Sequence, residues 1–196
     1  EIIVTVGGSE AIDMALRAII NPGDEIIVPE PCFVCYSPLI EIMGGVAVPL
    51  YTEVKDLFKV TPEKLEPLLT NKTKAIILSY PNNPTGAIYS AEVMAKIAKL
   101  VDDINAARGE SGRPLYLLSD EPYRAFAYDG VEVAPVLPLT KWSIVLGSFS
   151  KTLSLAGERI GYIALNPAMP EVETLAAAVT LTNRTLGYPK FCVNVK

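Results

Sequence analysis

The chain has 196 residues, of which half are hydrophobic and 20% are charged, and its formal net charge is -5. This length and composition suit one globular domain with its own core, and they exclude a disordered chain. The acidic balance, with no block of Lys and Arg, argues against a nucleic-acid partner. No apolar run approaches a membrane span and no signal peptide is visible, so we expect a soluble protein without a membrane partner.

The three cysteines, Cys32, Cys35 and Cys192, make an odd number and do not suggest a disulfide framework. Cys32 and Cys35 have the C-x-x-C spacing of a redox or zinc site. However, no second pair follows and the chain has no histidine, so a four-ligand zinc site cannot be completed. We therefore expect no metal site, and reduced cysteines in a cytoplasmic protein.

Strand-like and helix-like segments alternate along the whole chain. The predicted strands cover 1–6, 25–28, 46–50, 74–79, 115–119, 143–147 and 160–165, and the predicted helices cover 9–20, 33–43, 61–69, 90–103 and 169–186. Strands with continuous apolar runs, separated by helices, indicate a mainly parallel sheet covered on both faces. We expect an α/β fold, a three-layer α/β/α sandwich around about seven strands, with ligands bound beyond the carboxyl ends of the strands.

The most informative segment, residues 148–159, lies between the last two predicted strands. Lys151 follows two hydroxyl residues, Ser148 and Ser150, and precedes Arg159. Apolar walls and a neighbouring cation lower the pKa of an amine, and a neutral amine can attack a carbonyl. The alternative is an ordinary lysine in a loop at a strand end.

Three other strand ends carry candidate chemistry. Gly7, Gly8 and Ser9 open a helix whose N–H groups favour an anion such as phosphate, although Ser9 as a plain N-cap is an equal alternative. Residues 80–86 form a proline-fixed loop with two asparagines, and residues 120–123 read Asp-Glu-Pro-Tyr. A Walker B interpretation of the latter requires a phosphate-binding G-x-x-x-x-G-K-[ST] loop, which the chain lacks. A carboxylate and a phenol near a candidate amine favour cofactor chemistry.

Taken in order, these four segments resemble the motifs of class I and II aminotransferases, which are fold type I enzymes dependent on pyridoxal 5'-phosphate (PLP). The resemblance covers nearly the whole chain. It implies that Lys151 bonds covalently to the cofactor aldehyde and moves the substrate proton. It implies that Asp120 pairs with the ring nitrogen, and that Asn83 and Tyr123 hydrogen-bond the ring oxygen.

The same resemblance implies how the rest of the cofactor is held. Gly8, Ser9, Ser148 and Arg159 match the phosphate-binding residues, since an arginine fork suits a phosphate dianion. Phe33 falls where the family places an aromatic residue stacked on the ring. Tyr36, three residues later, is expected to be structural.

The family's substrate-carboxylate arginine lies in a C-terminal small domain, and this chain ends before it. The chain also starts at Glu1, without an initiator methionine. We therefore expect residues 1–196 to be the PLP-binding large domain of a longer protein, without its N-terminal segment and small domain. In the family the site lies at a dimer interface, which implies a homodimer in the full-length protein.

The resemblance favours transfer of an amino group between an α-amino acid and a 2-oxo acid, with aspartate, alanine and aromatic substrates all open. A PLP-dependent carbon–sulfur β-lyase of the same fold is the nearest alternative. An aminotransferase-like effector domain of a transcription regulator is an alternative of a different class. A nucleotide-binding domain is disfavoured, since neither a Walker A nor a dinucleotide motif is present.

Overall fold

A computed structural model of the protein describes residues 1–109 and 112–187, and within these ranges seven strands form one sheet. The strands are β1 Ile2–Val6, β2 Glu25–Glu30, β3 Val46–Tyr51, β4 Thr73–Ser79, β5 Tyr116–Asp120, β6 Ser143–Ser148 and β7 Ile160–Leu165. All seven predicted strands are therefore present. Cys32 and Cys35 are free thiols, and Cys192 lies outside the described residues.

The helices are α1 Gly7–Ile19, α2 Tyr36–Ile42, α3 Pro62–Leu65, α4 Ala91–Arg108, α5 Phe149–Thr152 and α6 Val172–Leu186, with 3-10 turns at Val54–Asp56 and Glu66–Leu68. Ser90 caps α4 as predicted, because its side chain accepts a hydrogen bond from the Val93 N–H. The helix predicted over 61–69 leaves α geometry after Leu65, since Pro67 lacks an N–H and its ring clashes with the preceding turn. None of the described helices combines the length and hydropathy required to span a bilayer.

Helix α1 begins two residues earlier than predicted, at Gly7, directly after β1. The Glu10 carboxylate accepts a hydrogen bond from the Val6 N–H and so closes the first turn from inside the helix. The alternative of Ser9 as a plain N-cap is therefore wrong, since Ser9 is the third residue of the helix.

The order of strands in the sheet is β1-β7-β6-β5-β4-β2-β3. Strand β7 is antiparallel to both of its neighbours, β1 and β6, and the other neighbouring strands are parallel. Six strands consequently run in one direction, which confirms the prediction of a mainly parallel sheet. The reversal of β7 places its first residues at the edge where the other strands end.

Two hydrophobic clusters cover the two faces of the sheet. Alternate residues of β4 face opposite sides, with Ala75 and Ile77 in the first cluster and Ile76 and Leu78 in the second. The first cluster contains buried residues of α1, α2 and α6, and the second contains buried residues of α3 and α4. The predicted three-layer α/β/α architecture is therefore confirmed.

The close approach of β1, β6 and β7 depends on Gly161. A Cβ atom there would lie 2.6 Å from the Gly7 carbonyl carbon and 2.8 Å from the Gly147 carbonyl oxygen, and neither backbone atom can rotate away. Gly161→Ala is therefore expected to lower the free energy of unfolding by about 1–3 kcal/mol. Urea denaturation measures the change, with Gly157→Ala as control, since a Cβ atom at Gly157 meets nothing within 4 Å. Equal unfolding midpoints for the two variants would contradict this packing.

Candidate active site

A cavity of about 230 Å³ opens where the parallel strands β4, β5 and β6 end. It is lined by the nine residues selected from the sequence, namely Gly8, Ser9, Phe33, Asn83, Asp120, Tyr123, Ser148, Lys151 and Arg159. Ile12, Ser79, Pro122, Ser150 and Ala156 complete its walls. The sheet thus brings together residues that lie up to 151 positions apart in the chain, from Gly8 to Arg159.

One part of the cavity wall brings together groups that are suited to an anion. The Arg159 guanidinium lies against the start of α1. It is so close that a Cβ atom added at Gly7 would be only 2.5 Å from Arg159 Nη2. Gly8 similarly allows Ser148 to approach the first helical turn, whose N–H groups have no partner within the helix. Arg159 donates to Ser150 Oγ at 3.5 Å and to the Ala156 carbonyl at 3.2 Å, and no carboxylate of the described residues pairs with it.

The cavity wall also carries a buried carboxylate, Asp120, at the end of β5. Its side chain accepts a hydrogen bond of 2.5 Å from the Tyr36 hydroxyl. Burial raises the pKa of Asp120 to about 7, with a further rise from the Glu121 charge, although the Tyr36 hydrogen bond acts in the opposite direction. A carboxyl group in this position is fully ionised at neutral pH only when a cation faces it.

The hydrogen bond from Tyr36 to Asp120 was not expected, since we expected Tyr36 to be only structural. Tyr36 is almost fully buried, at 1% exposure, and its hydroxyl reaches Asp120 from the first residue of α2. Burial raises the pKa of Tyr36 well above its ordinary value, so its hydroxyl remains a donor. Its ring contacts the ring of Phe33, three residues earlier, edge-on with centroids 5.7 Å apart, but this spacing alone does not distinguish a site residue from a core residue.

The two asparagines of the proline-rich loop have different roles. Asn82 holds the turn together, since its Oδ1 atom accepts hydrogen bonds from the N–H and the hydroxyl of Thr85 at 3.1 and 2.8 Å. Asn83 is fixed through its backbone N–H, which donates to Ser79 Oγ at 3.1 Å, and its side chain is left at the cavity wall. Tyr123 reaches the same cavity from the segment after Pro122.

Lys151 lies on the short helix α5, which the sequence analysis did not predict. Ser148 caps this helix by accepting a hydrogen bond from the Ser150 N–H at 3.2 Å. We expected apolar walls around Lys151, but Lys151 is exposed, although it lines the cavity. The residue also lines a second, more open cavity of about 580 Å³, together with Tyr123, Phe126 and Tyr128.

These groups fit a phosphorylated ring compound that carries a carbonyl and a basic nitrogen. The Arg159 end offers a guanidinium, hydroxyls and helical N–H groups to a phosphate. Asp120 offers a buried carboxylate to a protonated ring nitrogen, and Lys151 offers an amine to a carbonyl. Asn83 and Tyr123 offer an amide and a phenol to a ring substituent. PLP has all four of the groups that this set of residues would bind.

The fold is a three-layer α/β domain, and its cavity lies where the parallel strands end. The residues that line this cavity suit a phosphorylated ring compound such as PLP. Residues 1–189 match the family model for aminotransferase class I and II. The chain therefore belongs to the class I and II aminotransferase family.

Curated relatives and solved structures agree with this assignment. The chain is 39% identical over 166 residues to a putative aminotransferase, YugH, of Bacillus subtilis, covering 84% of this chain and 41% of that protein. It is 36% identical to an aspartate/prephenate aminotransferase of Thermus thermophilus, with 83% and 40% of the two chains covered. An amino transferase structure from Eubacterium rectale matches with a TM-score of 0.89 at 32% identity, over 95% of this chain and 46% of that one. The chain thus spans less than half the length of these proteins.

Proposed function

We propose that this chain supplies the cofactor-binding domain of a PLP-dependent aminotransferase, which transfers an amino group between an α-amino acid and a 2-oxo acid. The observation that carries this proposal is one cavity in which the amine of Lys151, the buried carboxylate of Asp120 and the Arg159 anion pocket share walls. The relatives' names, which include aspartate/prephenate and aromatic-amino-acid aminotransferases, favour transfer over the lyase and regulator alternatives.

When bound, PLP supplies a ring that accepts the electrons left on the substrate Cα. Its phosphate would be bound by Arg159, Ser148 and the first turn of α1, with Gly8 and Ser9. Phe33 would pack on the ring. These contacts would hold the cofactor in one orientation within the cavity.

The remaining residues control protons. Asp120, oriented by the Tyr36 hydroxyl, would keep the ring nitrogen protonated, since an ionised carboxylate favours a cation that faces it. Asn83 and Tyr123 would donate hydrogen bonds to the ring oxygen. Lys151 would hold the cofactor through its aldehyde and, when its amine is free, would accept the proton of the substrate Cα and return it.

We further propose that the chain is the large domain of a longer polypeptide, called here the full-length protein, that forms a homodimer. Exposed side chains at and near the second cavity support this, since Tyr128 in its wall is 72% exposed and Leu153, two residues after Lys151, is 59% exposed. A partner subunit would cover this apolar surface and supply further walls of the site. A cytoplasmic location is consistent with the free thiols of Cys32 and Cys35.

Product analysis of the full-length protein with PLP tests the activity. Aspartate, alanine, an aromatic amino acid and an S-alkylcysteine, which has the carbon–sulfur bond that a β-lyase cleaves, are offered as donors, each with and without 2-oxoglutarate as acceptor. We expect glutamate and the donor's 2-oxo acid in equal amounts, and at most one equivalent of 2-oxo acid per chain without the acceptor. Repeated release of pyruvate, ammonia and a thiol from the S-alkylcysteine in the absence of acceptor would contradict transfer and support the lyase alternative.

A further inference from the structure

Glu121 is a buried carboxylate that lies outside both cavities. It follows Asp120 directly, is 7% exposed, and accepts hydrogen bonds from the Ser119 hydroxyl at 2.9 Å and from Arg124 Nη1 at 3.0 Å. Burial raises its pKa, and both hydrogen bonds oppose this rise. Removing the arginine partner of a buried carboxylate strongly destabilises a protein, because an uncompensated buried charge is left behind.

Arg124 uses its other contacts to tie together the two ends of one loop. Its Nη2 atom donates to the Val133 carbonyl at 2.9 Å, and its Nη1 atom lies 3.5 Å from the Ala134 carbonyl oxygen. The Ala134 N–H donates to the Tyr80 hydroxyl at 3.2 Å. Residues 122–134 are therefore closed into a loop that is anchored both to Glu121 and to the segment preceding Asn83.

This loop carries three aromatic residues that line the cavities: Tyr123 lines both, and Phe126 and Tyr128 line the second. Tyr123 is the residue immediately before Arg124, so the position of the guanidinium limits how far the Tyr123 backbone can move. A planar guanidinium can donate hydrogen bonds to a carboxylate and a carbonyl at the same time and in a fixed geometry. A lysine amine can also donate to both, but in a less fixed geometry.

We propose that Glu121 and Arg124 are positioning residues, whose ion pair holds the 122–134 loop so that the Tyr123 phenol faces the cofactor cavity. The role of Tyr123 toward PLP in this inference rests on the proposed function. The fixed loop itself does not depend on PLP, because every contact named above is made between protein groups.

A double-mutant cycle on the PLP dissociation constant of the full-length protein tests the coupling. Glu121→Gln is measured with Tyr123 intact and in a Tyr123→Phe background. We expect about tenfold weaker PLP binding in the first case and less than about twofold in the second, since the ion pair acts through the phenol. Glu92→Gln removes an exposed ion pair with Lys96 on α4 and is expected to leave PLP binding unchanged. Equal weakening in both backgrounds would overturn the positioning role.

Amide hydrogen exchange without PLP tests the fixed loop separately. Glu121→Gln is expected to speed exchange of the Phe126, Val131 and Ala134 amides at least about fivefold, while amides within α4 keep their rates. Unchanged exchange in the loop would overturn the inference. If the unmutated protein does not bind PLP, the proposed function fails, and the exchange result alone then decides whether Glu121 and Arg124 hold the loop.

Discussion

Replacing Lys151 with alanine is expected to lower kcat for amino-group transfer by about 10³-fold or more, because the variant lacks both the covalent attachment point and the group that moves the Cα proton. The visible absorbance band that the full-length protein acquires with PLP is expected to disappear in the variant. Noncovalent PLP binding should persist, since the Arg159 end of the cavity is unchanged. Steady-state kinetics, absorbance and equilibrium dialysis measure the three quantities.

Lys141→Ala is the matched control for this experiment. Lys141 is also an exposed lysine beside β6, but its amine lies 5.2 Å from the Trp142 ring centroid, before β6 begins. We expect the control variant to keep the band and the activity. A Lys151→Ala variant with an unchanged band would show that a different amine reacts with the cofactor.

Asp120→Asn is expected to lower kcat by about 10²–10³-fold, because a neutral amide cannot keep the ring nitrogen protonated as the reaction proceeds. The loss should fall mainly on kcat, since the phosphate contacts that dominate binding remain. Glu92→Gln, at an exposed carboxylate on α4, separates this effect from a general loss of one negative charge. An Asp120→Asn variant with unchanged kcat would contradict the assigned role.

The same substitution is expected to stabilise the protein without PLP at pH 8. The pKa of Asp120 is about 7 in the folded protein and about 3.9 in an unfolded chain, so the folded state binds its proton more tightly. The free energy of unfolding of the unmutated protein therefore falls as the pH rises from about 4 to about 7. The variant lacks this slope and should be more stable at pH 8 by roughly 2–4 kcal/mol. Urea unfolding at pH 5 and pH 8 measures the difference, and equal slopes would contradict the buried carboxyl assignment.

The strands, and the edge of the sheet that holds the cavity, could be predicted because each strand is a short apolar run and a parallel sheet brings the residues after its strands to one edge. The roles of the site residues were implied by the resemblance to the family, and Phe33 and Arg159 do not directly follow a strand. Arg159 instead precedes its strand. Its position at the same edge follows from the reversed direction of β7, which apolar periodicity alone does not reveal.

The features that the sequence did not reveal depend on contacts between distant residues. The Tyr36 hydroxyl meets a carboxylate 84 positions away, and no local pattern distinguishes that tyrosine from a core residue. Helix α1 starts at Gly7 because the Glu10 carboxylate accepts a hydrogen bond from the Val6 N–H. This hydrogen bond outweighs the preference of Ser9 for the N-cap position. Helix α5 was not predicted because four residues are too few for a periodic pattern, and none of the four, Lys151 included, is buried.

The proposal that Lys151 is the cofactor-binding amine is tested most directly by reducing the PLP-loaded full-length protein with borohydride and mapping its peptides by mass spectrometry. We predict one pyridoxyl phosphate group per chain, on the peptide that contains Lys151. The competing amine is Lys74, whose pKa is lowered to about 8 by burial. Modification of Lys74 in place of Lys151, or of no lysine at all, would contradict the proposed site.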